Sequence, residues 1–305
     1  MSVEIGDKET ISGGMSIAVF ERKSSKLKPE CEDSFYVDQD QTVFVVADGI
    51  SRFRYPFNYS PSARAAQSAA VTIGKVLAER DMIRPREDFL SAFKIANDVI
   101  RELNLKEIGS ERLPLWESTD YYEDDLAGAV AAVCVLRNNS LHYAFNGDCQ
   151  IVHLPYKGEI WKAVTPATDR VARSRSVFVH HKENLPEPES GDYEEAWKNY
   201  IRLVHNDYRN NPHAELMNST HVTYSVLNGQ SSAVHDIYIN SGEQKLASGD
   251  IFLLCSDGLN SYINDLGFVS ILKSGEIDTL STYVDNHPKI DKENDDKVCI
   301  CVRLP

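Results

Sequence analysis

Positive charge is what this 305-residue chain most lacks. Its 32 Lys and Arg stand against 46 Asp and Glu, for a net charge of −14. That deficit argues against nucleic acid or an anionic membrane as partner, because both are held by clustered Lys and Arg. No apolar run reaches the roughly 20 residues that a membrane helix needs. The opening MSVEIGDKET has no basic segment leading into an apolar one, so no signal peptide is expected. None of the six cysteines (Cys31, Cys134, Cys149, Cys255, Cys299 and Cys301) falls in a C-x-x-C pair, which excludes a zinc site of the usual spacing. Four of them lie in apolar runs, where a free thiol behaves as a small hydrophobe, and a reducing, cytoplasmic compartment is expected. The nine histidines show no metal-ligand pairing on a convincing helix, and neither a solenoid repeat nor a low-complexity segment is present.

What the chain does have is a series of short apolar strands. They are expected at 15–20, 42–47, 127–136, 140–146, 149–154, 250–255 and 297–303, most of them bounded by Gly, Asn, Asp or Ser. Asn138-Asn139 and Gly147-Asp148 suggest tight hairpin turns. Strands at 127–154 are too closely spaced for helical crossovers, so that region reads as an antiparallel meander. Ser60-Pro61 is an N-cap followed by proline at the first helical position, which predicts a helix from there. A second helix is predicted at 87–106, with Phe89, Phe93, Ala96, Ile100 and Leu103 on one face. A further pair is expected at about 262–286. Residues 166–245 are more polar, with a predicted helix at 192–205, and read as an insertion in one domain spanning 1–305.

Two of the apolar strands end alike. VFVVADG (43–49) and IFLLCSDG (251–258) each run into Asp-Gly. Asp-Gly is a common turn dipeptide, and either case alone is explained that way. The set is larger, however: Glu32-Asp33, Asp48, Asp148, Asp257 and Asp295-Asp296 all adjoin strand ends. Carboxylates brought together at one sheet edge repel unless protons or cations intervene. Hard divalent cations such as Mg²⁺ and Mn²⁺ favour carboxylate, carbonyl and water oxygens. A glycine after a ligating Asp lets the backbone approach closely enough for its own carbonyl to join.

In this order the motifs resemble the metal-dependent type 2C protein serine/threonine phosphatases, over most of the chain. Glu32-Asp33 resembles that family's first Glu-Asp motif, FVVADG its Asp-Gly strand, and LAGAVAAVCVL its Gly-Ser-Thr-Ala strand. LHYAFNGDCQIVHL resembles the Gly-Asp-Ser-Arg hairpin, VTPATD (164–169) more faintly a Thr-x-Asp-His segment, LLCSDGLNSYI the Thr-Asp-Gly-Leu segment, and DDKVCICV the final strand. TYSVLNG (223–229) and the long insertion resemble bacterial branches more than the animal forms.

The resemblance implies an α+β fold, a four-layer α-β-β-α sandwich of two antiparallel sheets flanked by helix pairs. It implies Asp48 bridging two Mg²⁺ or Mn²⁺ ions. Glu32 and the Gly49 carbonyl would complete one, Asp257 and Asp295 would ligate the other, and Asp33 would hold its waters. Asp148 would serve a third, weaker site that some members have. Two such ions about 3.5–4 Å apart activate water for in-line attack on phosphorus, without a nucleophilic side chain. The implied substrate is a phosphorylated protein, a kinase or one of its targets, with the 166–245 insertion acting as a flap near the metals. Lys28 stands where many relatives have a phosphate-gripping arginine, and a lysine binds only as a point charge. Ile50-Ser51-Arg52 stands where they often have His-Gly-Gly, and Arg52 or Arg54 is an alternative substrate contact. These departures motivate a rival reading, an inactive pseudophosphatase that binds a phosphoprotein or partner. A structural metal- or Ca²⁺-binding module and a hydrolase of small phosphate esters are the others.

Overall fold

A computed structural model describes residues 8–12, 14–24, 30–50, 60–108, 120, 126–156, 162–163, 183–187, 190–203, 206, 208–212, 215–216, 220–221, 224–290 and 295–305. The chain enters through β1 (Lys8–Ser12), β2 (Met15–Arg22), β3 (Asp33–Val37) and β4 (Val43–Gly49). It continues through α1 (Pro61–Ala78) and α2 (Pro85–Ile108) to β5 (Ala129–Arg137), β6 (Ser140–Asn146), β7 (Gln150–Leu154) and β8 (Lys162–Ala163). Then come α3 (Tyr193–Arg202), the short pair β9 (Glu215–Leu216) and β10 (Thr220–His221), β11 (Asn240–Lys245) and β12 (Ile251–Cys255). Three short helices follow, α4 (Asn260–Ile263), α5 (Leu266–Ser274) and α6 (Leu280–Asn286), and β13 (Lys297–Arg303) closes the chain.

Two antiparallel sheets form the centre, ordered β11-β6-β5-β4-β3 and β1-β2-β13-β12-β7-β8. Three apolar layers account for the four-layer stack. Phe44, Val46, Ala132, Phe145, Ile151, Phe252, Leu254 and Ile300 fill the space between the sheets. There Phe44 and Phe252 meet edge to face, with ring centroids 5.4 Å apart. The outer face of the first sheet carries Val43, Val45, Ala47 and Val133 against Ala66, Ala69, Ala70 and Ile73 of α1 and Phe89, Phe93 and Ile100 of α2. The outer face of the second carries Val152, Leu253, Cys255, Cys299 and Cys301 against Tyr262, Phe268, Leu272 and Leu280. The central strands are therefore covered on both faces, which is why they read as continuous apolar runs instead of alternating. The small residues of α1 let that helix lie close on the sheet.

The helix signals hold. Ser60 caps α1, its hydroxyl accepting from the Ala63 amide at 3.3 Å, with Pro61 next. Asn138 and Asn139 both have left-handed backbone, φ 50° and 59°, as a tight turn between β5 and β6 requires. The expected meander needs correction. β5 and β6 pair, but β7 leaves them and pairs with β12 in the other sheet. The Gly147-Asp148 turn, with φ +71° at Gly147, is a corner between sheets and not a hairpin. Its physical consequence is that Asp148 sits at the seam of the sandwich. Strands β1, β3 and β11 were not expected, since KETIS, DSFYV and NSGEQK carry too little apolar pattern. β11 lies inside the 166–245 segment and adds an edge strand beside β6.

A buried amide cluster secures residues 224–230. Asn97 of α2 accepts from the amides of Asn228 (3.1 Å) and Gly229 (2.9 Å) and donates to the Gln230 carbonyl (2.9 Å). Asn104 donates to the carbonyls of Ala127 (2.8 Å) and Asn228 (2.9 Å). Leu227 exchanges backbone hydrogen bonds with Ala129, the register partner of Gly49. The segment is thus anchored on β5, the neighbour of the strand that carries Asp48.

Candidate active site

The strand register places five acid-bearing chain segments at one end of the sandwich. Asp33, which opens β3, is paired directly with Asp48 near the end of β4. Gly49 lies opposite Ala129 at the start of β5, and Asn146 ends β6 beside Ala131. Cys255, ending β12, pairs with Gln150 on one side and Cys299 on the other, so Asp148, Asp257 and Asp295 project from neighbouring ends. Glu32 and Asp33 are buried; Asp48, Asp148, Asp257 and Asp295 are partly exposed. Two like charges facing each other across a strand pair destabilise a sheet, and here further carboxylates are added to them.

The electrostatics register the crowding. Burial pushes the Asp48 carboxyl well above its usual range, and the charges of Asp33, Asp257, Asp148 and Asp295 push it further. Burial likewise raises Asp33; a hydrogen bond from Ser256 opposes this, and the charges of Asp257, Asp296 and Asp295 add to the rise. Among the described residues, Asp33 Oδ2 is buried with no hydrogen-bond partner. An orphaned carboxylate oxygen amid other carboxylates is the environment that a hard divalent cation relieves. The donor set, all oxygen, fits Mg²⁺ or Mn²⁺ and not a thiol-seeking metal. The carboxylates are not drawn tightly together: among the described residues, no three His, Cys, Asp or Glu close into a metal-ligand cluster.

Neighbouring groups hold these side chains in place. The Ser60 hydroxyl donates to Glu32 Oε1 at 2.5 Å, so the N-cap of α1 also fixes the Glu32 carboxylate. The Gly49 amide donates to the Glu32 carbonyl at 3.0 Å. A Cβ on Gly49 would stand 2.5 Å from that carbonyl oxygen and 2.6 Å from that of Ser62. A Cβ on Gly258 would stand 2.0 Å from the Asp296 carbonyl oxygen. Both Asp-Gly glycines are therefore required by close backbone approach, each to a different acid-bearing segment: Gly49 to Glu32, Gly258 to Asp296. That answers why two apolar strands end on the same dipeptide.

Cys31, beside Glu32, is a half-buried free thiol. Burial and the charges of Asp33, Asp296 and Glu21 push it far above the ordinary range, which suppresses the thiolate. Lys28, Arg52, Arg54, residues 164–169 and the His180-His181 pair lie outside the described residues, as do Trp116 and the Tyr121-Tyr122 pair. Sequence reasoning missed Ser60 as a partner of Glu32. A serine N-cap is its only sequence signal, and nothing in a cap says which carboxylate lies above it.

No protein-family model matches this chain, and no curated protein matches it. Solved structures do match in fold. The Mycobacterium tuberculosis serine/threonine phosphatase PstP/Ppp is 16% identical at a TM-score of 0.60, over 95% of this chain and 98% of that one. The catalytic domain of the serine/threonine phosphatase PstP with two manganese ions is 15% identical at 0.56, over 95% and 99%. Stp1, a serine/threonine phosphatase from Staphylococcus aureus, is 13% identical at 0.55, over 100% and 99%. This chain has the fold of these phosphatases, and the resemblance drawn from its motifs holds at that level. Among the described residues, no helix is long and apolar enough to cross a membrane.

Proposed function

We propose that this chain is a divalent-metal-dependent phosphatase acting on phosphoserine or phosphothreonine in proteins. The observation that carries the proposal is the gathering of Asp33, Asp48, Asp148, Asp257 and Asp295 at one end of the sandwich, with one buried carboxylate oxygen left without a partner among the described residues. Asp48, Glu32 and the Gly49 carbonyl would hold one ion; Asp48, Asp257 and Asp295 would hold the other, with Asp33 orienting water beside it and Asp148 offering a third, weaker position. When bound, the ions supply water activation near neutral pH and neutralise charge on the phosphoryl group.

The chain's own groups do the rest. Ser60 and the close packing at Gly49 hold Glu32 and Asp48 in fixed relation. The partly exposed Asp48, Asp257 and Asp295 leave the site open to a protein-borne phosphate. Lys28 is assigned to the phosphate, and the segment within 166–245 to substrate choice. The domain is read as a single unit, and a cytoplasmic location fits its free cysteines.

The test is hydrolysis of a phosphothreonine peptide with Mn²⁺, with Mg²⁺ and with chelator, comparing the natural chain with Asp257→Asn. Metal-dependent turnover lost in the variant is expected. A folded protein that binds Mn²⁺ but turns nothing over would point instead to the pseudophosphatase.

A further inference from the structure

Asp296 belongs to none of the proposed ligand positions, yet three segments of the site meet on it. Its Oδ1 accepts from the backbone amide of Ser24, just past β2, at 2.6 Å. Its Oδ2 accepts from the backbone amide of Glu32 at 2.7 Å. Its own amide donates to Asp295 Oδ1 at 2.9 Å, and its carbonyl is what forbids a side chain at Gly258. The residue is buried, 2% exposed. Short N–H bonds to a buried carboxylate are charge-assisted and stronger than neutral ones.

We infer that Asp296 is a positioning residue: its carboxylate ties the chain at Ser24 to the chain at Glu32 and so holds Glu32 ready for a divalent cation. The inference rests on the metal-dependent reading above. A carboxylate is needed for this task, since two amides approach two different oxygens. Asparagine has one acceptor oxygen, and its NH2 would confront the second N–H donor. Asp296 also touches segments assigned to both proposed ions. Through Glu32 it reaches one, and through Gly258 and Asp295 it backs the segments assigned to the other. Partners that orient metal ligands typically cost 10–100-fold in metal affinity when removed.

The experiment is a calorimetric Mn²⁺ titration of the natural chain, Asp296→Asn, Glu32→Gln and the double variant. Expected is a loss of about 10–100-fold in Mn²⁺ affinity for Asp296→Asn, with little further loss when the same change is made on Glu32→Gln. An equal loss on both backgrounds would mean that Asp296 contributes only its charge, and no loss at all would mean that it positions nothing; either result overturns the inference. If Asp296→Asn does not fold, hydrogen exchange in the natural chain decides. Protected amides at Ser24 and Glu32 in the folded, metal-free protein support the tie, and solvent-like exchange there overturns it. Failure of the natural chain to bind Mn²⁺ would sink the phosphatase reading instead, while the amide measurement would still report on the tie.

Discussion

At Gly258 there is no room for a methyl group, because the Asp296 carbonyl oxygen would lie 2.0 Å from it. Gly258→Ala is expected to cost about 1–3 kcal/mol through overpacking, and more if the backbone does not yield. It should also displace Asp257, so activity should fall further than stability does; denaturant midpoints and turnover measured side by side check this. Cys31 offers a contrasting prediction. Its thiolate is suppressed by burial and neighbouring carboxylates. The folded protein should therefore resist alkylation at this position near neutral pH and react there only when denatured, as mass spectrometry of the modified peptide would report. Rapid labelling of native protein would contradict this description of the Glu32 surroundings. Asp48, Asp148, Asp257 and Asp295 adjoin strands that the sequence predicts, whereas Asp33 opens β3, which it does not, and nothing in the sequence shows that each glycine makes room for a different acidic segment. That information lies in the pairing of distant chain ends. Asp295 and Asp296 look interchangeable as letters, and only the two amides aimed at Asp296 separate them.

Among elements, legibility followed apolar content. β6 and β13 match their predicted ranges, and α1 begins where Ser60-Pro61 says it should. β3 and β11 were illegible because DSFYV has only the three-residue run Phe35-Tyr36-Val37 and NSGEQK has none; they are strands because β4 and β6 offer open edges beside them. The β6–β7 connection misled for a related reason. A two-residue turn signals a reversal, but which sheet the next strand joins is decided by tertiary pairing. The amide cluster joining α2 to 224–230 yields the prediction at this scale. Asn97→Ala removes the acceptor for the Asn228 and Gly229 amides, at about 1–3 kcal/mol per amide so deprived. If that cluster is what anchors the segment, proteolysis of the native variant should begin near 224–230. An unchanged cleavage pattern and unfolding midpoint would show that the anchor lies elsewhere.

For the whole molecule, the site imposes a pH dependence with a definite sign. Asp33 and Asp48 are raised in the folded state, so each contributes stability that is present below the unfolded carboxylate value near 4 and is lost as pH rises through the folded one. Metal-free protein should therefore become less stable as pH climbs from about 4 toward neutrality. His142, lowered by burial, works the other way, its contribution fading as pH falls below about 6.5. Asp88 and Asp250 are lowered, and their contribution is lost only in acid below about 4. Mn²⁺ should reverse the neutral-pH loss, adding about 2.7 kcal/mol at a hundredfold excess over the dissociation constant of a single site. Melting curves across this range, with Mn²⁺ and with chelator, would reveal it; a metal-free protein most stable at neutral pH would contradict the carboxylate crowding.

The central claim is that the strand-end carboxylates form a two-cation site, and counting the ions tests it most directly. Equilibrium Mn²⁺ binding to the natural chain and to Asp48→Asn, the residue assigned to both ions, should give two tightly bound ions per chain in the first and a severe loss at both positions in the second. No tight binding by folded natural protein, or two ions still bound tightly by Asp48→Asn, would show that these carboxylates end strands without serving a metal.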